Sequence, residues 1–224
     1  MTADSNKKTL TRAHAVILLA AGLSQRLGTP KQLLLREGLP LITHMLTVAK
    51  LTQPAKMIVI VPDGLPTVTA AVRATDIPEA QLFIVQNQHS QLGMAHSLQL
   101  GIEALRTHAS DCTRVLIMGV DQTHLDTAHL QGLLAASQPI AVSSYPAGKT
   151  DDTDDLKSVT GLPVVVDSAQ LHTWYDKLSG DKGLRALIRC TEQPVYVLSN
   201  ARLSLDIDTP EQLAHAQANG WLDK

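Results

Sequence analysis

Six short runs of aliphatic residues, separated by segments with a helical period, constrain the fold of this chain more than any other feature. The runs lie at residues 16–19, 57–61, 82–86, 114–118, 139–143 and 195–198. They are continuously apolar rather than alternating, which is typical of parallel strands that helices cover on both faces. We therefore predict an α/β fold with a doubly wound, mostly parallel sheet and helices on both faces. Its ligand would lie beyond the carboxyl ends of the strands.

Six segments between and after these runs have the helical period. They are residues 40–52, 66–74, 93–107, 126–136, 168–190 and 209–219. The last is the most clearly marked, because Thr209 suits the N-cap, Pro210 the first helical position and Gln212 the capping box. We predict a single domain over residues 12–224, which follows a flexible leader at 1–11.

Charge and composition exclude several classes of partner. Lys plus Arg number 19 against 21 Asp plus Glu, and aromatic residues make up only 3%. With no basic excess and few rings for base stacking, we expect no nucleic-acid partner. The longest apolar run is about half of the ~20 residues that a membrane span needs, so we expect no membrane partner and a cytoplasmic protein. The acidic stretch 147–158 lacks an apolar period and predicts a mobile surface loop.

The turn that follows the first apolar run is suited to phosphate binding. Small side chains at Ala20, Ala21 and Gly22 would let a polyphosphate approach the backbone amides. Arg26 and Lys31 would add positive charge for a triphosphate. The turn has neither the Gly-Lys-Ser/Thr of a P-loop nor a G-x-G-x-x-G sequence. The alternative interpretation is a glycine turn with two solvated cations.

Acidic residues follow two of the predicted strands. Asp121 comes directly after the fourth run, and a carboxylate there suits Mg²⁺, which needs only one or two protein carboxylates beside water and phosphate oxygens. Asp126 is better placed to cap the next helix, which leaves Asp121 for function. Asp206 and Asp208 lie on one side of an extended segment before the last helix. From the residues alone, helix capping is favoured for this pair over a metal site.

Five motifs follow one another in order across residues 18–213. They are LLAAGLSQRLGTPKQLL at 18–34, Asn87 with GMAHSLQLG at 93–101, VDQ at 120–122, SGDKGLRAL at 179–187 and DIDTPEQL at 206–213. In this order they resemble the signatures of the molybdenum cofactor nucleotidyltransferases, a MobA-like NTP transferase family. The first motif resembles the cytidylyltransferase branch in particular.

The resemblance implies a Rossmann-like nucleotidyltransferase fold and a specific reaction. CMP would pass from CTP to the phosphate of molybdopterin, which releases pyrophosphate and forms a cytosine dinucleotide cofactor. Mg²⁺ would be the metal cofactor, and a molybdoenzyme or its chaperone is the candidate recipient of the product.

The resemblance also assigns roles to residues of this chain. Arg26, Lys31 and Asp121 would be catalytic, and Asp121 and Asp208 would bind the metal. The nucleotide-binding residues would be Leu19, Ala20, Ala21, Gly22, Ser24, Asn87, Gly93 and Ser97. The acceptor-binding residues would be Gly180, Asp181 and Arg185.

Departures from the family signatures concentrate on the acceptor side. Gln122 stands in the segment where a proline is expected after the metal aspartate, and Gly161-Leu162-Pro163 stands where Gly-His-Pro is expected. Two alternatives therefore stay open. The chain could transfer a nucleotide to a sugar or polyol phosphate, or it could be a non-catalytic nucleotide-binding chaperone of a cofactor.

Overall fold

A computed structural model describes residues 13–146, 158–180 and 183–224 of the chain. The predicted leader at 1–11 and residues 147–157 of the predicted acidic loop lie outside the described residues. The strands are β1 (His14–Leu19), β2 (Leu35–Arg36), β3 (Leu39–Pro40), β4 (Lys56–Pro62), β5 (Leu82–Asn87), β6 (Arg114–Gly119), β7 (Ile140–Pro146), β8 (Ser158–Asp167) and β9 (Val195–Ser199). The α-helices are α1 (Leu41–Lys50), α2 (Pro66–Arg73), α3 (Met94–His108), α4 (Thr127–Leu134), α5 (Ser168–Trp174), α6 (Gly183–Arg189) and α7 (Pro210–Ala218).

Seven of the strands form one sheet in the order β5-β4-β1-β6-β8-β7-β9, and β2 and β3 form a separate hairpin. Neighbouring strands pair in parallel except at β8, which is antiparallel to β6 and to β7. The prediction of a mostly parallel sheet with helices is confirmed. From β1 the chain builds outward through β4 and β5, and it then returns to place β6 on the other side of β1. The carboxyl ends of β1 and β6 therefore flank the point where the strand order reverses, the usual ligand position in such sheets.

The continuous apolar character of β1 follows from burial on both of its faces. Val16 and Leu18 belong to the core under α1, α2, α4 and α7, whereas Ala15 and Ile17 belong to the core under α3, α5 and α6. Gly101 lets α3 approach β1 closely, because a Cβ atom at this position would lie 2.8 Å from Ile17 Cγ2. Helices thus cover both sides of the central strand, as the apolar runs predict.

Strand β8 is absent from the sequence prediction, because Gly161 and Pro163 argue against a central strand. The register explains how the sheet accommodates them. Val142 pairs with Val164 and Ser143 with Gly161, so Leu162 and Pro163 occupy an irregularity between the two pairs. A proline at such a position does not have to supply a ladder hydrogen bond.

The prediction of one helix over 168–190 is wrong. The structure has α5 and α6, and between them a 3₁₀ turn at Tyr175–Lys177 is followed by Gly180 with a φ of +61°. A left-handed glycine of this kind ends helical geometry. The capping box predicted before the last helix is confirmed, with Thr209 accepting from the Gln212 amide. None of the described helices is long and apolar enough to span a membrane.

We predict that His14 makes the stability of the fold depend on pH. The residue is only 7% exposed, its Nε2 lies 2.9 Å from Thr52 Oγ1, and burial lowers its pKa from 6.5 to about 4. Between these values the unfolded chain binds a proton that the folded chain does not, so stability is full above pH 6.5 and falls as the pH drops toward 4. The size of this pKa shift sets an upper bound of ~3 kcal/mol on the unfolding free energy that the fold loses through His14.

The measurement is chemical denaturation of the wild type and of His14→Gln from pH 7 to pH 4. The variant should lose less unfolding free energy over this range than the wild type. The exposed His108 provides the control, and His108→Gln should keep the wild-type slope. Equal slopes for the wild type and His14→Gln would contradict the prediction.

Candidate functional site

A cavity of about 740 Å³ opens beyond the carboxyl ends of β1 and β6. We call it the first cavity. Leu19 and Gly119, which pair at the ends of these two strands, both line it. The loop after β1 forms one wall through residues 21–26, and residues near the start of α3 form another, including Gly93 and Ser97. The cavity therefore lies at the reversal of the strand order, where the fold class predicts a ligand.

The loop after β1 is held in shape by Gln32. Its Nε2 donates to the carbonyl of Ala20 at 2.6 Å and to that of Gly22 at 2.8 Å. In a trans peptide the C=O and the following N–H point in opposite directions. The amides of Ala21 and Leu23 are therefore turned away from Gln32. Ser24 has a left-handed backbone with a φ of 52°, the kind of curvature that gathers amides into an anion-binding concavity.

The Lys31 ammonium lies at the centre of an ion-pair network in the first cavity. It donates to Asp121 Oδ2 at 3.0 Å and to Asp208 Oδ1 at 2.6 Å. Arg26, which is largely exposed, donates to the second oxygen of Asp208 at 2.9 Å. Lys31 is itself 8% exposed, because it begins a 3₁₀ turn, Lys31–Leu33, beneath the loop. Segments far apart in the sequence thus bring two carboxylates and two cations together.

The ionisation of these groups follows from their neighbours. Burial alone would lower the pKa of Lys31, but the charge of Asp121 and the hydrogen bonds to Asp208 and Asp121 raise it above its ordinary value. Burial would raise the pKa of Asp208, but the hydrogen bond and charge of Lys31 and the charge of Arg26 lower it. Partial loss of hydration, with the charges of Asp121 and Asp208, raises the pKa of Asp206 to about 6.

Most of the predicted nucleotide-binding residues lie together in this cavity. Those that line it are Leu19, Ala21, Gly22, Ser24, Gly93 and Ser97. Ala20 instead belongs to the core, where its amide donates to the Ile60 carbonyl at 2.9 Å. Asn87 is buried behind the wall, where it donates to Ser97 Oγ at 2.9 Å and accepts from the His89 amide at 2.8 Å. Asn87 therefore positions Ser97 and the turn before α3.

A second cavity of about 340 Å³ adjoins the first. Leu19, Met94, Asp121 and Leu162 line both, so the two cavities meet at these residues. Arg185 on α6, a predicted acceptor residue, lines the second cavity.

The other two predicted acceptor residues are placed differently. The carbonyl of Gly180 accepts from the Ala95 amide at 3.1 Å and so supports the start of α3. Asp181 lies outside the described residues.

The predicted caps are found at both α4 and α7, but the capping role favoured for Asp208 is not. Asp126 caps α4 by accepting from the His129 amide at 2.8 Å. The preference for a capping role of the Asp206 and Asp208 side chains is wrong for Asp208, because Thr209 caps α7 and the Asp208 carboxylate binds Lys31 and Arg26. Sequence spacing cannot reveal an ion pair between segments 177 residues apart.

Three other side chains of the site were not predicted. Gln32 lies inside the first motif, directly after Lys31, and this position could have marked it as a residue of the site. Gln122 is 4% exposed and donates to the Leu162 carbonyl at 2.6 Å, which ties the segment after β6 to β8. Tyr145 on β7 lines the second cavity, and no sequence motif marks it.

Residues 16–197 match the family described as the MobA-like NTP transferase domain. The chain belongs to this family. MobA-like NTP transferase domains are nucleotidyltransferases. A site that brings two cations and two carboxylates together beside a loop of small residues is consistent with this class of enzyme.

Individual relatives agree with this assignment. The bifunctional protein GlmU of Burkholderia thailandensis is 28% identical over 191 residues, which cover 74% of this chain and 41% of that protein. The chain thus spans less than half the length of this curated relative. The crystal structure of Rv0371c from Mycobacterium tuberculosis H37Rv matches with a TM-score of 0.71 and 25% identity over 92% of this chain and 98% of that one.

Two further structures share the fold. A complex of Rv0371c with manganese matches with a TM-score of 0.66 and 23% identity over 91% of this chain and 97% of that one. The 4-diphosphocytidyl-2C-methyl-D-erythritol synthase of Anaerococcus prevotii has a TM-score of 0.74 and 14% identity over 93% of this chain and 96% of that one.

The carboxylates of this MobA-like domain suit a divalent cation that also binds substrate oxygens. Asp121 and Asp208 converge on the same ammonium, and burial together with the charges of these two carboxylates raises the pKa of Asp206. Within the described ranges, no group of three or more His, Cys, Asp or Glu side chains is arranged to hold a metal by itself. Mg²⁺ fits such a set, because it takes one or two carboxylates and fills its remaining positions with water and phosphate oxygens.

We predict that Asp208 competes with phosphate for the cations of the loop. Asp208→Asn removes the charge that holds Lys31 and Arg26, so these cations become available to an anion. Without divalent metal, inorganic tripolyphosphate should bind the variant ~3- to 10-fold more tightly, a modest gain because the pair is partly solvated.

Isothermal titration calorimetry with tripolyphosphate checks this expectation. Asp76→Asn is the matched control, since it makes the same charge change at an exposed ion pair with Lys50. Weaker binding to Asp208→Asn, or equal gains in both variants, would show that Asp208 does not compete.

Proposed function

We propose that this chain transfers CMP from CTP to the phosphate of molybdopterin, which releases pyrophosphate and forms a cytosine dinucleotide cofactor. The observation that carries the proposal is the meeting of two cavities at Asp121, one with the phosphate loop and its cations and the other with an arginine. Such an arrangement suits two phosphorylated substrates that react at their shared boundary. Phosphoryl transfer depends mainly on positioning and charge neutralisation, which these residues can supply.

The first cavity would take CTP. The amides of Ala21 and Leu23 would bind phosphate oxygens, and Arg26 and Lys31 would neutralise the triphosphate. Asp208 would release these cations when the nucleotide arrives. The leaving pyrophosphate would depart with the electrons of the broken bond between the α-phosphorus and the bridging oxygen, and the two cations would stabilise its charge.

Asp121 and Asp208 would hold the divalent metal, which we propose is Mg²⁺. A bound metal neutralises phosphate charge and polarises the phosphoryl oxygens. The manganese complex of Rv0371c supports a divalent cation in proteins of this fold. Binding of the metal would also take the carboxylates away from Lys31, so the ammonium would become free for phosphate.

The second cavity would take the acceptor. Its phosphate is largely ionised at neutral pH, with a second pKa of about 6, so attack needs no strong general base. An acceptor oxygen would form the bond to the α-phosphorus, and Arg185 would orient the acceptor phosphate. The recipient of the product would be a molybdoenzyme or its chaperone.

A sugar or polyol phosphate is the second candidate acceptor. It is supported by the likeness in fold to the synthase whose name specifies a diphosphocytidyl derivative of methylerythritol. The departure from the family signature at Leu162 also lies at the acceptor cavity.

Pyrophosphate release tests these alternatives directly. The chain would be incubated with CTP and Mg²⁺, and with molybdopterin, a panel of sugar and polyol phosphates, or no acceptor. We expect release that depends on molybdopterin, together with formation of the cytosine dinucleotide. Release with a sugar or polyol phosphate alone would favour the second candidate, and nucleotide binding without release under any condition would indicate a non-catalytic chaperone.

We predict that CTP binds more tightly than GTP in the presence of Mg²⁺. Ala21 is 3% exposed and lines the first cavity, so its methyl group narrows the space for a purine. A methyl-sized restriction gives a preference of ~10- to 200-fold. Calorimetric titration with both nucleotides measures it, and Ala21→Gly should reduce the preference. Tighter binding of GTP to the wild type would contradict the cytidine assignment.

We predict that Asp121→Ala folds normally but loses turnover. The residue follows β6 at the cavity surface, so its truncation leaves no core void, whereas the proposed metal site loses a ligand. The rate should fall by ~10² to 10³, and Asp121→Asn should recover little because the amide lacks the charge. Asp63→Ala, at an exposed aspartate directly after β4, is the matched control and should keep wild-type turnover. Activity of Asp121→Ala within a few-fold of the wild type would remove Asp121 from the mechanism.

A further inference from the structure

The second cavity has mostly apolar walls. Strands β1 and β8 contribute Leu19 and Val164, and helices α3 and α6 contribute Leu98, Leu184 and Ile188. All five side chains are otherwise buried, with exposures of 9% or less. Leu184 and Ile188 are four residues apart on α6, so they present one continuous apolar surface.

Polar groups of this cavity gather where it meets the first. The Arg185 guanidinium and the Tyr145 hydroxyl lie together against Gly161, and Tyr145 also experiences the charges of Arg185, Asp206 and Asp121. The amide nitrogen of Gln122, a further polar neighbour, is already bonded to the Leu162 carbonyl. The cavity therefore combines one polar, charged region next to Asp121 with apolar walls beyond it.

Gly161 on β8 creates the space in which Tyr145 and Arg185 meet. A Cβ atom at this position would overlap the Tyr145 hydroxyl and would lie 3.2 Å from a guanidinium nitrogen of Arg185. The tyrosine ring thus lies directly over the glycine. Tyr145 lies beside one nitrogen of a guanidinium whose other donors have no hydrogen-bond partner among the residues that the structure describes.

We propose that the second cavity selects a phosphate monoester with an apolar, ring-like body over a hydroxyl-rich sugar phosphate, and that Tyr145 positions Arg185 for the phosphate of this acceptor. Only the identification of this ligand as the acceptor rests on the proposed nucleotidyl transfer. The binding preference itself follows from the walls of the cavity.

Desolvation explains why a sugar body is disfavoured. Each buried hydroxyl needs a hydrogen-bond partner, and an unpaired one costs more than the water contacts it has lost. The aliphatic part of the walls offers no such partners, whereas it gains from contact with an apolar ring. Partners for hydroxyls are confined to polar side chains such as Tyr145 and Gln122, whose buried side-chain oxygen has no partner among the described residues. Asp206 and the second arginine of α6, Arg189, also line the cavity, so the region near the phosphate carries both signs of charge. Arg185 is the cation that Tyr145 holds in place.

The test compares two phosphate monoesters with different bodies, 1-naphthyl phosphate and glucose 1-phosphate. Inorganic tripolyphosphate would be present to fill the first cavity, and affinities would be measured by calorimetry. We expect 1-naphthyl phosphate to bind roughly 10-fold or more tightly than glucose 1-phosphate. Equal affinities, or tighter binding of the sugar phosphate, would overturn the proposed selectivity.

Variants test the role of Tyr145. Tyr145→Phe should weaken the binding of 1-naphthyl phosphate by ~3- to 10-fold, and Arg185→Gln should weaken it by ~10- to 100-fold. Gly161→Ala leaves both side chains chemically intact, but it should also weaken the binding of 1-naphthyl phosphate because the added methyl group displaces the tyrosine. Tyr196→Phe, on the adjacent edge strand β9, is the matched control and should bind like the wild type.

A neutral probe separates positioning from a structural effect. Binding of 1-naphthol, which lacks the phosphate, would be followed by NMR titration. We expect Tyr145→Phe to bind 1-naphthol like the wild type, because only the phosphate contact depends on Arg185. Equal losses for 1-naphthol and 1-naphthyl phosphate, or no loss for either, would overturn the positioning role.

These binding measurements can be separated from the proposed function. If CTP and molybdopterin yield no pyrophosphate but the naphthyl preference and the Tyr145 effect hold, the nucleotidyl transfer fails and the inference about the cavity stands. If transfer occurs but the preference is absent, the inference fails alone.

Discussion

The reversal of strand order between β1 and β6 is the constraint on which the rest of the site depends. Because both strands run in the same direction and pair up to Leu19 and Gly119, the segments that leave them diverge from neighbouring points. One segment becomes the phosphate loop and the other carries Asp121. Strand β8 enters the sheet next to β6 in the opposite direction, so its first residues join the same edge. The loop with Arg26 and Lys31, the segment with Asp121 and the start of β8 therefore meet at one edge of the sheet.

Lys31 makes this dense group of charges compatible with a folded, ligand-free chain. Carboxylates at Asp121 and Asp208 would repel each other across the cavity, and a buried ammonium without partners would pay a large desolvation penalty. Their mutual contacts satisfy all three groups at once. In the proposed reaction, an incoming triphosphate would compete with these carboxylates for Lys31.

The sequence predicts the central sheet well, and it predicts that most of the first-motif residues lie together at the first cavity, because both depend on local patterns. Apolar runs identify β1, β4 and β6 since both faces of these strands are buried, and they also identify the half-buried edge strand β5. The loop motif places Lys31 and Arg26 beside the first strand. Strand β8 escapes prediction because Gly161 and Pro163 are tolerated only through its irregular pairing with β7. The Asp208 ion pairs escape for a different reason. They join segments whose approach depends on the complete fold, and the local sequence favours a capping role for Asp208 instead.

The two cavities differ in how their lining residues are distributed along the chain. One wall of the first cavity is a single continuous loop, residues 21–26, which lies within the first motif. The second cavity draws its lining mainly from β1, β7, β8, α3 and α6 and from the segment after β6. Gln122 and Leu162, which both differ from the family signatures, are joined by a hydrogen bond from the glutamine amide to the leucine carbonyl. These two residues are therefore neighbours in space, and both line the second cavity.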